Sequence, residues 1–258
     1  MNENVTGELP LSGRVALITG ASSGIGRATA HELAAAGARV IVTARRGDRL
    51  KELVTEIRDA DGKADSITAD VSDNADIDRL WKQSKAAAGG GTPDLIVANA
   101  GHGLAGGVLS SDESVWEEMF RLNVLGTMHL MRTVAEPLAA LEGARDLFVV
   151  GSTVGDNISP FSAAYGATKF AIHSAAEALR RELGPRGVRV TVVKPGIVST
   201  EFQDVAGYDR ENFGKATEKF GPPLEPEDVA QAIRFVAAQP SRVHLSDFTI
   251  RPTGQDYP

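Results

Sequence analysis

The chain has 258 residues, 42% hydrophobic and 24% charged, with 27 Lys and Arg against 34 Asp and Glu for a net charge of −7. That composition gives a globular chain long enough to bury a sizeable core, and an acidic balance with no basic block argues against nucleic-acid binding. With no cysteine there are no disulfides and no thiolate chemistry; the polar start MNENVTGELP is no secretory signal, no apolar run approaches a membrane span, and a cytoplasmic protein is expected.

Residues 1–12 read as a loose lead-in, and 13–258 as one domain. Short β-branched runs then alternate with longer helical patterns. Strands are predicted at 15–18, 40–43, 64–69, 95–98, 147–150, 190–193 and 247–250. Helices are predicted at about 24–36, 48–59, 75–88, 113–141, 162–183 and 227–238. Strands without polar alternation are buried on both faces. With the β-α-β order, this predicts a doubly wound, seven-stranded parallel sheet of Rossmann type with helices on both faces. Ligands of such sheets bind beyond the carboxyl ends of the strands. Two stretches break the alternation, 102–112 and 199–226. The second is long and carries aromatics, which suggests a lid over a partly apolar substrate.

Immediately after the first strand comes Thr19-Gly20-Ala21-Ser22-Ser23-Gly24-Ile25-Gly26. Glycines let a backbone turn tightly and approach a ligand closely, and the N–H groups at a helix start attract an anion. A phosphate cradle is expected here, on a spacing that differs from the commoner G-x-G-x-x-G. At the end of the second strand stand Ala44-Arg45-Arg46. An acid at this place would bond the ribose 2′-hydroxyl of NAD, whereas an arginine suits the 2′-phosphate of NADP. Arg45 and Arg46 therefore favour NADP(H) over NAD(H).

Further along, Tyr165 and Lys169 are four residues apart in a helical pattern and share a face. An ammonium beside a phenol favours the phenolate and is expected to lower its pKa toward working pH. Such a group passes a proton to or from an alcohol or carbonyl oxygen. Ser152 follows the fifth strand, at the sheet's carboxyl edge, and its hydroxyl is placed to donate to a substrate oxygen. The five histidines at 31, 102, 129, 173 and 244 form no metal-ligand spacing, and no metal is expected.

These motifs, with Asp70-Val71, Asn99-Ala100-Gly101, Leu122-Asn123, Gly151-Ser152 and Pro195-Gly196-Ile197-Val198-Ser199-Thr200, occur in an order that resembles the short-chain dehydrogenase/reductase family, NADP-preferring type, over about residues 13–254. The resemblance implies a catalytic tetrad of Asn123, Ser152, Tyr165 and Lys169. Tyr165 would serve as proton donor in reduction, Lys169 would also bind the nicotinamide ribose, and Asn123 would hold a relay water. It further implies cofactor contacts from Gly20, Ser22, Ser23, Gly24, Ile25 and Gly26. Asp70 and Val71 would flank the adenine, and Asn99, Ala100 and Gly101 would line the adenosine side. Pro195, Gly196, Ile197 and Thr200 would meet the nicotinamide and its phosphates. NADP-preferring relatives often carry a basic residue beside the middle glycine, where this chain has Ser23.

Around the substrate, His102, Val154, Phe161 and Phe202 are the candidate contacts, with Tyr208 and Phe213 in the lid. The expected activity is NADPH-dependent reduction of a ketone to a secondary alcohol. An NAD(P)-dependent alcohol or hydroxy-acid dehydrogenase working oxidatively is the alternative, and a non-catalytic nucleotide-binding protein a remote one. By the same resemblance a homotetramer, or a homodimer, is expected through the helices near 113–136 and 162–183. Val115, Met119, Leu122, Met128, Leu130 and Met131 could serve either core or interface.

Overall fold

A computed structural model describes residues 8–208, 218 and 220–257. Seven parallel strands form one sheet: β1 (Val15–Thr19), β2 (Arg39–Ala44), β3 (Lys63–Thr68), β4 (Leu95–Ala98), β5 (Asp146–Val150), β6 (Arg189–Pro195) and β7 (Asp247–Ile250). Their order across the sheet is β3-β2-β1-β4-β5-β6-β7. The central strands are buried on both faces, and their alternate side chains feed two separate cores. Ala16, Ile18, Val40, Val42, Leu95, Val97, Phe148 and Val150 point to one face. Leu17, Ile41, Ile96, Ala98, Leu147 and Val149 point to the other. That period of two, apolar on both sides, is why these runs read as uninterrupted hydrophobic stretches in the sequence.

Helices α1 (Gly24–Ala35), α2 (Gly47–Asp59) and α8 (Pro226–Ala237) cover the first face through Leu33, Leu50, Leu53, Ile57 and Ile233. The second face is covered by α3 (Asn74–Ala87), α5 (Thr127–Ala139) and α6 (Ala163–Leu183), through Ile77, Leu80, Leu130, Val134 and Ile172. Between β1 and β4 the chain reverses the direction in which it adds strands. A crevice opens at such a point beyond the strands' carboxyl ends.

One predicted helix is not a single α-helix. The stretch 113–141 divides into a turn at Glu113–Val115, α4 (Trp116–Phe120), a wider π-helical turn at Arg121–Gly126, and α5. Two contacts explain the extra residue in the turn. Asn123 is drawn toward His102, and Gly126 lies so close to the Val71 carbonyl that a Cβ would overlap it. A π-turn swings one side chain out of the helical register, and here that side chain is Asn123. Among the described residues of 199–226 the structure shows α7 (Phe202–Val205) and a bridge from Leu224 to Val198. Phe213 lies outside the described residues.

The lower edge of the sheet is tied by charge. Asp146 (1% exposed) and Arg189 (4%) pair at 2.7 and 2.8 Å, and Arg14 reaches the same carboxylate at 2.8 Å. Burying these charges is tolerable only because each is paired and hydrogen-bonded.

Candidate active site

The glycine turn after β1 is built as its residues require. Gly20 and Gly24 have φ of +66° and +52°, a region side chains rarely adopt. Gly26 has no room for a Cβ, which would sit 2.5 Å from both the Asn99 Nδ2 and the Gly20 carbonyl. The Asn99 amide donates to the Thr19 and Gly20 carbonyls at 3.0 and 3.3 Å. Thr19, which opens the glycine motif but was given no role of its own, accepts on its hydroxyl from the backbone N–H of Asn99 (3.0 Å) and Ala100 (3.1 Å). The ends of β1 and β4 are thereby clamped together under the turn. A threonine at a strand end carries no distinctive sequence signal for this.

Beside the turn, Arg46 folds back over it. Its guanidinium donates to Ser22 Oγ at 3.1 and 3.0 Å and to Ser23 Oγ at 2.8 Å. The positive charge that Ser23 does not supply is thus delivered from the end of β2. Arg46 also meets Glu201 at 3.0 Å, and Arg49 meets the other Glu201 oxygen at 2.5 Å. Bonds from Arg49 and Arg46 hold the Glu201 carboxyl below its usual pKa. Neither Arg49 nor Glu201 stood out in the sequence, because their pairing spans about 150 residues of chain. Arg45 lines the same cavity. Asp70 lines it too, while its carboxylate accepts from the Ser72 N–H and hydroxyl, closing a local turn.

At the far end of the cavity stand Ser152, Tyr165 and Lys169. Tyr165 and Lys169 lie one turn apart on α6 and are buried, at 8% and 7% exposure. The Lys169 ammonium donates to the Val150 carbonyl at 2.8 Å and lies 5.6 Å from the centre of the Tyr165 ring. Asn123, from the π-turn, accepts on Oδ1 from the His102 N–H at 3.1 Å. Its Nδ2 donates to the His102 carbonyl at 2.9 Å and to Thr168 Oγ1 at 3.1 Å. A Cβ built on Gly101 would lie 2.9 Å from that Oδ1 and 3.9 Å from the Lys169 Nζ. All four predicted residues therefore gather around the carboxyl ends of β4 and β5.

Their titration differs from the expectation that the amine depresses the phenol. Burial pushes the Tyr165 phenol up, a hydrogen bond with Ser152 draws it partly back, and Tyr208 pushes it further up. Burial also lowers Lys169, to about 8. Both groups are moved toward their neutral forms because the site desolvates charge more strongly than the two couple.

A cavity of about 790 Å³ joins the two ends. Its wall includes Gly20, Ser22, Ser23, Gly24 and Ile25 at one end, and Ser152, Tyr165 and Lys169 at the other. Val71, Asn99, Ala100, Gly101, Pro195, Gly196, Ile197 and Thr200 run between them. Gly26 packs behind the turn instead of lining it. Of the substrate candidates, His102, Val154, Phe161 and Phe202 all line the cavity. Phe202 packs its ring 5.3 Å from that of Tyr165, whereas Phe161 is 70% exposed at the mouth. The closing segment adds residues the sequence did not announce. Gln255 accepts from the Ile197 N–H at 3.0 Å, and the Tyr257 hydroxyl donates to the Ile158 carbonyl.

A parallel sheet in this order, with a glycine turn at its switch point, is the doubly wound fold of nucleotide-dependent enzymes. The profile of the short chain dehydrogenase family matches residues 14–211. The chain belongs to that family and is an oxidoreductase. An uncharacterised oxidoreductase of Staphylococcus epidermidis strain ATCC 35984 is 32% identical over 239 residues, covering 93% of this chain and 97% of that protein. A metagenomic short-chain oxidoreductase crystallised with NADP is similar at 31% identity and a TM-score of 0.79, over 95% of this chain and 99% of that one. An alcohol dehydrogenase from the archaeon Thermococcus sibiricus, complexed with 5-hydroxy-NADP, is similar at 26% identity and a TM-score of 0.81, with the same two shares covered.

Proposed function

We propose that the chain is an NADP(H)-dependent oxidoreductase that reduces a ketone to a secondary alcohol. The observation that carries this reading is the buried Tyr165 phenol, kept protonated by its surroundings and bonded to Ser152, in one cavity with the glycine turn. The residues present fit a nicotinamide dinucleotide. The turn of Gly20, Ser22, Ser23, Gly24, Ile25 and Gly26 is an anion cradle at a helix start. Arg45 and Arg46 suit a 2′-phosphate, and two of the similar structures hold NADP-type cofactors. Asp70 and Val71 would flank the adenine, with Asn99, Ala100 and Gly101 along the adenosine. Lys169, Pro195, Gly196, Ile197 and Thr200 would meet the nicotinamide end.

NADPH bound there supplies the hydride. The Ser152 hydroxyl donates to the substrate oxygen and holds it beside Tyr165, and the phenol gives its proton to that oxygen as negative charge develops. Lys169, its pKa lowered to about 8 by burial, would return a proton to the phenolate and recover one from solvent through a water held by Asn123. Val154, Phe161, Phe202 and Val205 make the substrate wall apolar, which favours an uncharged carbonyl compound over a phosphorylated one.

Initial-rate measurement of NADPH consumption against ketones, aldehydes and diketones tests this. Tyr165→Phe is expected to lower kcat by about 100–10,000-fold, and comparable turnover by that variant overturns the reading. Arg45→Asp and Arg46→Asp are expected to shift preference from NADPH toward NADH. As for assembly, Met119, Leu130 and Met131 are core residues, while Phe120, Leu125, Met128 and Phe170 are exposed on neighbouring helices. Those four support a homotetramer built on α4, α5 and α6, with light scattering in solution as the check.

A further inference from the structure

His173 lies on α6 one turn beyond Lys169 and two beyond Tyr165, so the three side chains share one face of the helix. Its side chain is 11% exposed. The backbone from Gly151 to Gly155 lies flat against the imidazole: a Cβ on Gly151 would overlap Nε2, and one on Gly155 would overlap the ring as well. Both glycines flank Ser152 and Val154, so the loop that presents the Ser152 hydroxyl rests directly on this ring.

Both ring nitrogens are engaged. Nε2 accepts from the Ser152 backbone N–H at 3.3 Å, and Nδ1 lies 2.9 Å from Asp156 Oδ1. Because an amide N–H can only donate, Nε2 must carry the lone pair, and the ring proton is on Nδ1, directed at Asp156. The other Asp156 oxygen meets Lys194 on β6 at 2.8 Å, and Lys194 meets Asp247 at the start of β7 at 2.6 Å. The link thus runs from the last strands of the sheet to the Ser152 amide.

We propose that neutral His173 is a positioning residue for Ser152, holding its backbone N–H and hence the direction of its hydroxyl. The proposal rests on the reading of Ser152 given above. A second proton on the ring would set an N–H against the Ser152 N–H, donor against donor, and displace the loop. The charged groups facing His173 are Asp156 beside the loop, Lys169 on α6 and Lys194 on β6, with Asp247 behind Lys194. Burial favours the neutral ring, Asp156 opposes that, and the two lysines add to burial.

The test uses the full chain, with His173→Gln, whose side-chain oxygen can accept from the amide, and His173→Leu, which cannot. In the unmodified protein the ¹H–¹⁵N resonance of Ser152 is expected to move with the His173 titration, and kcat to fall on the acid side at the same midpoint, below the ordinary histidine value. His173→Leu is expected to lose about 10–100-fold in kcat at neutral pH with unchanged affinity for NADPH, as misplacement of a reacting group does. His173→Gln should keep most of kcat and lose the acid limb. A Ser152 resonance that does not follow His173 overturns the proposal whatever the turnover, as does full kcat in His173→Leu. Absence of carbonyl reduction by the unmodified protein refutes the proposed function instead, and the resonance still decides the positioning.

Discussion

Lys169→Met replaces a buried amine with an apolar side chain of similar length, and its effect on stability is expected to change sign with pH. Burial lowers the Lys169 pKa from the ordinary 10.5 to about 8. At about 1.36 kcal/mol per pH unit, that difference makes the buried ammonium cost about 3 kcal/mol below pH 8. Against it stands the charge-assisted bond to the Val150 carbonyl, contributing about 2 kcal/mol. The thioether of the variant avoids both, so the variant should be the more stable form at pH 7 by about 1 kcal/mol. Between about pH 8 and 10.5 the unfolded chain holds the lysine proton that the folded chain has released, so wild-type stability rises with pH in that window. The phenol works the other way: its pKa is raised on folding, so its contribution is lost as pH rises above its ordinary value near 10. Reading the difference at pH 7 and about pH 9.5 keeps Tyr165 out of it, and the wild type should gain about 2 kcal/mol on the variant over that range. Urea unfolding followed by tryptophan fluorescence, at one protein concentration, measures it as a shift in midpoint at constant slope. A difference that stays flat between the two pH values refutes the assignment of the low pKa to Lys169.

Asp146→Asn should destabilise the chain by about 3–5 kcal/mol, because it leaves the Arg189 guanidinium buried without its counter-charge; thermal unfolding checks this. Gly126→Ala should cost more than an ordinary helix substitution, since its Cβ meets the Val71 carbonyl and must push the π-turn away, and turnover should fall with it as Asn123 shifts. Removing a carboxylate that pairs with two guanidiniums beside the serines, Glu201→Gln should tighten NADP⁺ binding severalfold and leave NAD⁺ unchanged. The contacts are about half exposed, so the effect is about 1 kcal/mol or less; calorimetric titration with each cofactor separates them.

The centre of the sheet was legible because its strands are buried on both faces, whereas the edge strands β3 and β7 are partly exposed. Leu95–Ala98 and Leu147–Val150 leave no polar alternation to confuse them with surface strands. Helical spacing put Tyr165 and Lys169 on one face and the strand end placed Ser152, whereas Asn123 entered only through the family resemblance. What stayed hidden depends on approach between distant segments. The π-turn exists because Gly126 meets Val71 and Asn123 meets His102, and nothing in Leu122-Asn123-Val124 distinguishes it from a straight helix. Arg46 bending onto Ser22 and Ser23 is a tertiary contact over 24 residues. His173, dismissed as a metal ligand by spacing, acquires its setting only when the Gly151–Gly155 loop is laid on it.

The sign of the Tyr165 shift shows how far a spacing argument reaches. Four residues on a helix bring a phenol and an amine near each other, and charge coupling alone would then favour phenolate. The same helix face is also driven into the core, where Ile172 and Ala176 follow Tyr165 and Lys169. Desolvation acts on each group separately and opposes every charge, so it wins over a pair whose nitrogen stands 5.6 Å from the ring centre and bonds to a carbonyl instead. A phenol held in its neutral form is a proton donor from the outset. Under the proposed function, reduction would draw on that proton directly, and oxidation would first have to remove it.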